Sequence, residues 1–175
     1  VSLLFVGALN VKMNYDALVY FRGRYFPALE SEFHDRLKVV VVGSRPSKRV
    51  VNLCNRMNWR LHKNVSDQEL RDLYQGATFS VLSFPYTTGA KLKLLSSLAH
   101  ATPFLATANM RPLVDSEIFP CLFSDDPVEW VGRVRKIESQ GVKESERLDL
   151  VNYARRYSWD AVAGKMFDEL RKLNH

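Results

Sequence analysis

Short apolar runs alternate with longer stretches of helical periodicity over the first three quarters of this chain, and that alternation restricts the fold more than any other feature. Apolar cores, several rich in β-branched residues, occupy residues 3–6, 38–42, 79–82, 104–106 and 121–123, with a weaker one at 59–62. Between them, Asn14 is placed to cap a helix with Ala17, Leu18, Phe21 and Phe26 on its inner face. Pro46 opens a helix burying Val50, Val51, Leu53 and Cys54, and Ser66-Asp67-Gln68-Glu69 is a capping box ahead of Leu70, Leu73 and Tyr74. Asp126-Pro127 starts another helix, with Trp130, Val131 and Val134 inside. Strand and helix in strict alternation predict an α/β fold: a Rossmann-like, mainly parallel sheet with helices on both faces. Beyond a break at Gln140-Gly141, residues 143–175 read as a purely helical segment, with Leu148, Val151, Tyr153, Trp159, Val162, Met166, Phe167 and Leu170 supplying its apolar faces.

In such a sheet the ligand lies beyond the carboxyl ends of the strands, and Gly7, Gly43 and Gly89 each follow a strand or fall in the loop after it. The segment Pro85-Tyr86-Thr87-Thr88-Gly89-Ala90-Lys91-Leu92-Lys93 runs from a strand through a small-residue turn into a helix whose first turn carries two lysines. Backbone N–H groups, a positive helix end and two ammonium groups together suit a phosphate-bearing ligand, although a solvated helix start accounts for the same residues without one.

The charge balance agrees. The 175 residues carry 25 Lys and Arg against 19 Asp and Glu, a net +6 that fits a phosphorylated ligand or an anionic surface and is too small an excess to indicate nucleic acid. Cys54 and Cys121 stand in apolar surroundings without metal-type spacing and read as reduced core residues. No apolar run is long enough to cross a bilayer. The chain opens inside a buried strand, so a fragment of a longer protein is expected. Asp115-Ser116-Glu117 and Glu30-Ser31-Glu32 have the spacing of a divalent-cation site, but both read as surface carboxylates, and no metal is assigned. His62 and His100 read as histidines satisfied by local hydrogen bonds, and Arg111 as an exposed loop arginine.

The succession Phe5-Val6-Gly7, Asn14-Tyr15-Asp16-Ala17-Leu18, Val41-Val42-Gly43-Ser44-Arg45-Pro46, Asn64-Val65-Ser66-Asp67, Leu73-Tyr74, Gly89-Ala90-Lys91-Leu92-Lys93-Leu94-Leu95 and Thr102-Pro103 resembles the carboxy-terminal half of group 1 glycosyltransferases. Tyr157-Ser158-Trp159 is similar to the family's last helical segment. The resemblance implies one lobe of a GT-B fold. Residues 1–140 would form the Rossmann-like donor-binding domain, and 141–175 would be C-terminal helices packed on it or on a missing amino-terminal lobe. It further implies a metal-independent transferase that moves a hexosyl or uronosyl group from a UDP- or GDP-sugar to a saccharide or lipid-linked acceptor in polysaccharide or glycoconjugate synthesis. The isolated half would be inactive. No cofactor beyond the substrate is expected, and no nucleic acid. The location implied is cytoplasmic, with peripheral attachment at the inner face of the membrane through the other lobe as an option.

Taken residue by residue, the resemblance assigns Gly7 to close backbone approach to the diphosphate, since a side chain would stand in the phosphate's place. The Asn64–Val65 backbone would border the base. Thr87, Thr88, Gly89 and Ala90 would form the turn that meets sugar and phosphates. Lys91 or Lys93, with Lys93 preferred because it lies one helical turn from Ser96, would neutralise the departing diphosphate. No catalytic group is assignable in this half. Many family members carry glutamates where this chain has Thr88 and Ser96, and basic residues where it has Ala8 and Asn14. Three rival readings therefore stand beside the transferase: a catalytically silent GT-B-like binding module, a lobe of a sugar-nucleotide epimerase, and a dinucleotide oxidoreductase. The last is disfavoured because Gly7-Ala8-Leu9-Asn10 lacks the spaced glycines of that fingerprint.

Overall fold

All six apolar runs become strands of one sheet in the computed structural model, which describes residues 1–86, 91–158 and 161. The chain runs β1 (Ser2–Val6), α1 (Lys12–Arg24), α2 (Phe26–Phe33), β2 (Lys38–Gly43), α3 (Lys48–Arg56), β3 (Arg60–Lys63) and α4 (Asp67–Gln75). It continues through β4 (Phe79–Leu82), α5 (Lys91–Ala99), β5 (Phe104–Ala106), β6 (Leu122–Phe123), α6 (Pro127–Gln140) and α7 (Glu144–Arg155). Strand order is β3-β2-β1-β4-β5-β6 and every pairing is parallel. The order reverses between β1 and β4, which opens a crevice at their carboxyl ends.

Alternate residues of the strands serve two hydrophobic layers. Leu3, Phe5, Val39 and Val41 face the larger one, together with α1, α2, α3 and α6, while Leu4, Val40 and Val42 meet Tyr74 beneath α4. In the larger layer Phe21, Tyr25, Phe26, Trp59 and Trp130 form a connected aromatic group in which Tyr25 and Trp130 stack at 3.9 Å. Trp130 Nε1 donates to the Ser124 carbonyl at 2.9 Å, so the buried indole keeps a partner. Leu150 and Tyr153 of α7 belong to the same core, and α7 packs on α5.

Four local expectations need correction. Asn14 is not a helix cap: α1 begins at Lys12 with Val11 before it, and Asn14 is buried on the helix's inner face. The sequence pattern mistook a buried polar side chain for a capping one because both occur near a helix start. Phe26 belongs to a second helix after Tyr25. The helix expected from Pro46 begins two residues later, with the Ser47 hydroxyl accepting from the Val50 amide at 3.4 Å. Leu148 is exposed rather than packed.

The capping box holds. Glu69 N–H donates to Ser66 Oγ at 3.2 Å, and Ser66 N–H donates to Glu69 Oε2 at 2.7 Å, which pulls the Glu69 carboxyl below its usual range. Its lowered folded value means that this contribution to stability is present above the unfolded pKa and is lost as pH falls through the folded one. Ser66→Ala is expected to lower Tm by about 2–4 °C, with a smaller loss at acid pH than in the wild type, measured by thermal melts at two pH values.

Candidate functional site

The crevice between β1 and β4 is walled by the loops that follow them. After β1, Gly7 N–H donates to the Val42 carbonyl at 3.0 Å and Leu9 N–H to the Ser44 carbonyl at 3.0 Å, so the loop continues along the end of β2. Gly43 permits this, because a Cβ there would stand 1.7 Å from the Gly7 carbonyl oxygen. At Gly7 itself a Cβ would come within about 3.0 Å of the Asn14 side chain. The space beside Gly7 is thus filled by Asn14, whose Nδ2 donates to the Ala8 carbonyl at 2.8 Å and whose buried Oδ1 has no partner among the described residues.

After β4, the chain is pinned at three places. Ser83 Oγ donates to the Ala17 carbonyl at 3.0 Å. The Phe84 carbonyl accepts from Thr107 Oγ1 at 2.9 Å and from Asn109 Nδ2 at 3.0 Å. The Tyr86 hydroxyl donates to Asp16 Oδ2 at 2.6 Å, and Lys12 Nζ reaches the same oxygen at 2.5 Å. Lys12 and, after it, Tyr86 hold the Asp16 carboxyl below the ordinary carboxylate range. Sequence reasoning quoted Asp16 in its motif without giving it a role and missed Phe84, Thr107 and Asn109. Their partners lie on other elements, so no local pattern could have revealed them.

Lys93 sits on the first turn of α5, half-buried, with its ammonium 6.0 Å from the Phe84 ring centroid. Desolvation lowers its pKa, and no carboxylate among the described residues forms an ion pair with it. A partly desolvated cation with no partner is costly in the free protein and recovers that cost when an anion arrives. One turn on, the Ser96 hydroxyl accepts a long bond from Tyr74 O–H at 3.5 Å, and the Ser96 carbonyl meets His100 Nδ1 at 2.7 Å. His100 also stacks on Tyr74 at 4.4 Å, so it is locally satisfied as expected.

The other sequence candidates fare differently. Asn64 adopts a left-handed conformation (φ 51°) that asparagine tolerates, and its N–H donates to the Gly43 carbonyl at 3.2 Å. That amide is therefore committed to the fold, while Val65 packs against the smaller core. Thr87, Thr88, Gly89 and Ala90, and the side chain of Lys91, lie outside the described residues. The same holds for Trp159, Val162, Met166, Phe167 and Leu170. Arg111 donates to the Ser116 carbonyl at 3.0 Å and covers the Phe123 ring.

Asp115 receives Tyr153 O–H at 2.9 Å, Tyr157 O–H at 3.2 Å and the Arg156 guanidinium at 2.9 Å, which together keep its carboxyl low. Among the described residues no group of three or more His, Cys, Asp or Glu could hold a metal ion. Burial pushes the Cys54 thiol up to about 11 and that of Cys121 to about 12, so neither is a ready nucleophile. A cavity of about 570 Å³ between Phe26, His34, Lys38, Asn58 and Trp59 opens at the amino ends of β2 and β3, on the edge opposite the crevice. A smaller one of about 230 Å³, lined by Asn10, Lys12, Tyr15, Ser47 and Arg49, lies on the carboxyl edge beside the β1 loop.

Comparison with known proteins supports this architecture. The catalytic domain of cholesterol-α-glucosyltransferase from Helicobacter pylori superposes with a TM-score of 0.59 at 12% identity, covering 90% of this chain and 98% of that one. Sucrose-phosphate synthase from Thermosynechococcus elongatus gives 0.64 at 18%, covering 98% of this chain and 45% of that one. The N-terminal domain of Candida albicans trehalose-6-phosphate phosphatase gives 0.57 at 14%, covering 98% and 42%. The chain thus spans less than half the length of the last two. No curated protein matches it in sequence. The profile described as "Glycosyl transferases group 1" matches residues 1–140, most of the chain and the whole of the sheet, and the chain belongs to that family.

Proposed function

We propose that this chain is the half of a glycosyltransferase that binds a nucleoside diphosphate sugar, held with its diphosphate across the β1–β4 crevice. The observation that carries the reading is the Lys93 ammonium, half-buried against Phe84 at the switch point of the sheet and without a carboxylate partner among the described residues. The ammonium draws the β-phosphate and stabilises the negative charge that builds on the leaving diphosphate as the sugar departs. The β1 loop borders the diphosphate, with Asn14 rather than a phosphate in the space that Gly7 leaves open, and the Asn64–Val65 turn borders the base through groups other than the Asn64 N–H. Thr87, Thr88, Gly89, Ala90 and Lys91 contact sugar and phosphates, and Ser96 stands where a ribose hydroxyl is received.

The group moved is a hexosyl or uronosyl unit, and the acceptor a saccharide or lipid-linked saccharide in polysaccharide or glycoconjugate synthesis. Acceptor binding and any catalytic base belong to a second lobe, as the span of this chain within longer structural neighbours suggests. The charge assigned to the diphosphate is that of Lys93 and the α5 N-terminus, without a resident metal. Asn14 and Ser96, in place of basic and acidic residues, also support a second reading in which the lobe is a silent binding module.

Titration of the isotopically labelled protein with UDP and with GDP decides where a nucleotide sits. Amide shifts confined to the β1 loop, residues 64–65 and the start of α5 are expected. Shifts confined to the amino edge around Trp59, or none with either nucleotide, would remove the proposed donor role.

A further inference from the structure

Residues 36–66 hold eight of the 25 Lys and Arg and none of the 19 Asp and Glu. The rest of the chain therefore carries 17 basic and 19 acidic residues, a formal charge of −2. The fold turns this segregation into a face. Helix α3 leaves the carboxyl edge of the sheet after β2 and returns to the amino edge, burying Val50, Leu53 and Cys54. Its outer side presents Lys48, Arg49, Asn52, Asn55 and Arg56, all exposed. Arg45 in the preceding turn and Lys63 on the edge strand β3 are exposed too. Lys63 follows Leu61 by two residues, and Leu61 packs with the larger core under α3, so Lys63 stands on the α3 side of the sheet.

Of the acids nearest in sequence, Asp35 precedes β2 at the amino edge, and Asp67, Glu69 and Asp72 belong to α4, which covers the other face. None of the four ion pairs among the described residues involves Arg45, Lys48, Arg49, Arg56 or Lys63. The stripe is thus five uncompensated cations along a nine-residue helix about 13 Å long and the two turns at its carboxyl-edge end.

We propose that this α3–β3 edge docks the protein, by charge alone, on an anionic phospholipid bilayer. Among the described residues the exposed large apolar side chains are Val11, Val19, Tyr86, Leu92, Phe119, Val128 and Leu148, and none lies between residues 36 and 66. A single-stranded nucleic acid would call for exposed aromatic rings on which to stack, and this edge has none, because Trp59 is buried. A leaflet of acidic headgroups needs only clustered Lys and Arg at its surface, and the opposite sign of the remaining charge turns the rest of the molecule away from it. The crevice then opens at the side of the sheet edge nearest Arg45 and Lys63, within reach of a headgroup-bound substrate. This proposal stands apart from the donor reading, because it involves none of the residues assigned to the nucleotide sugar.

Sedimentation of the full protein with vesicles of phosphatidylcholine, alone or with about 30% phosphatidylglycerol, tests it. Binding is expected to the acidic vesicles only, and to fall at least tenfold as salt rises from about 0.1 to 0.5 M. The triple variant Lys48→Glu, Arg49→Glu, Arg56→Glu is expected to lose binding by more than about tenfold while its thermal melt stays within about 2 °C of wild type. Single reversals Lys48→Glu and Arg56→Glu, each with a partial loss, keep the test decisive if the triple variant does not fold. Equal binding to neutral vesicles, full binding by every reversal variant, or tighter capture by soluble nucleic acid than by the acidic vesicles would overturn the proposal.

Discussion

Gly43→Ala is expected to destabilise the protein by about 3 kcal/mol, a fall in Tm of about 6–12 °C in a chain of this size. The added Cβ would stand 1.7 Å from the Gly7 carbonyl oxygen and 2.9 Å from both the Gly7 carbonyl carbon and Leu9 Cγ. The oxygen and carbon are backbone, so no side-chain rotation relieves the clash. The β1 loop must leave the end of β2, breaking the Gly7–Val42 and Leu9–Ser44 hydrogen bonds. Gly132→Ala is the matched control: a Cβ there meets nothing within 4 Å inside helix α6, and the gain in helix propensity is worth up to about 1 kcal/mol of added stability. Thermal melts of both variants check the register. An unchanged Tm for Gly43→Ala would mean that the two strand ends do not meet as described.

Lys93→Met is expected to weaken UDP-sugar or GDP-sugar binding by about 10–100-fold, the worth of one charge-assisted hydrogen bond in a partly desolvated site. Its Tm should stay level or rise, because the variant removes a half-buried cation that has no ion pair among the described residues while keeping the aliphatic contact with Phe84. The pH dependence has a definite sign. Burial lowers the folded pKa of Lys93 below 10.5, so the unfolded chain binds more protons between the two values. Wild-type stability is therefore expected to gain over that alkaline window from this residue, and the variant to lack that increment. Paired calorimetric titrations and alkaline melts measure both effects. Equal affinity in the two proteins would take Lys93 out of the site.

Much of the fold was legible because the strands carry their signal locally. Six apolar runs, a capping box at Ser66 and a proline start at Asp126-Pro127 each report a boundary through residues a few positions apart, and the structure places a strand or helix at each. Asn14 shows where such reasoning stops. Its residue type suits a cap, and only the position of Gly7, thirty-six residues from its partner Gly43, shows that the side chain fills the space at the end of β1. The site was legible in part. Lys93 could be chosen from helical spacing, but its isolation from carboxylates is a property of the packed molecule. The anchors of the β4 loop, Asp16, Ala17, Thr107 and Asn109, come from elements distant in sequence. The glutamates that many family members carry at the positions of Thr88 and Ser96 were visible as differences from the outset, and Ser96 now stands beside Tyr74 with its hydroxyl only weakly held.

The central claim is that this lobe still holds a nucleoside diphosphate sugar. Isothermal calorimetry of the protein against a panel of UDP- and GDP-sugars tests it most directly. Saturable binding of at least one donor, competed by the matching nucleoside diphosphate, is the predicted result. No saturable heat with any member of the panel, from a protein whose melt shows it folded, would contradict the account and leave a silent binding module in its place.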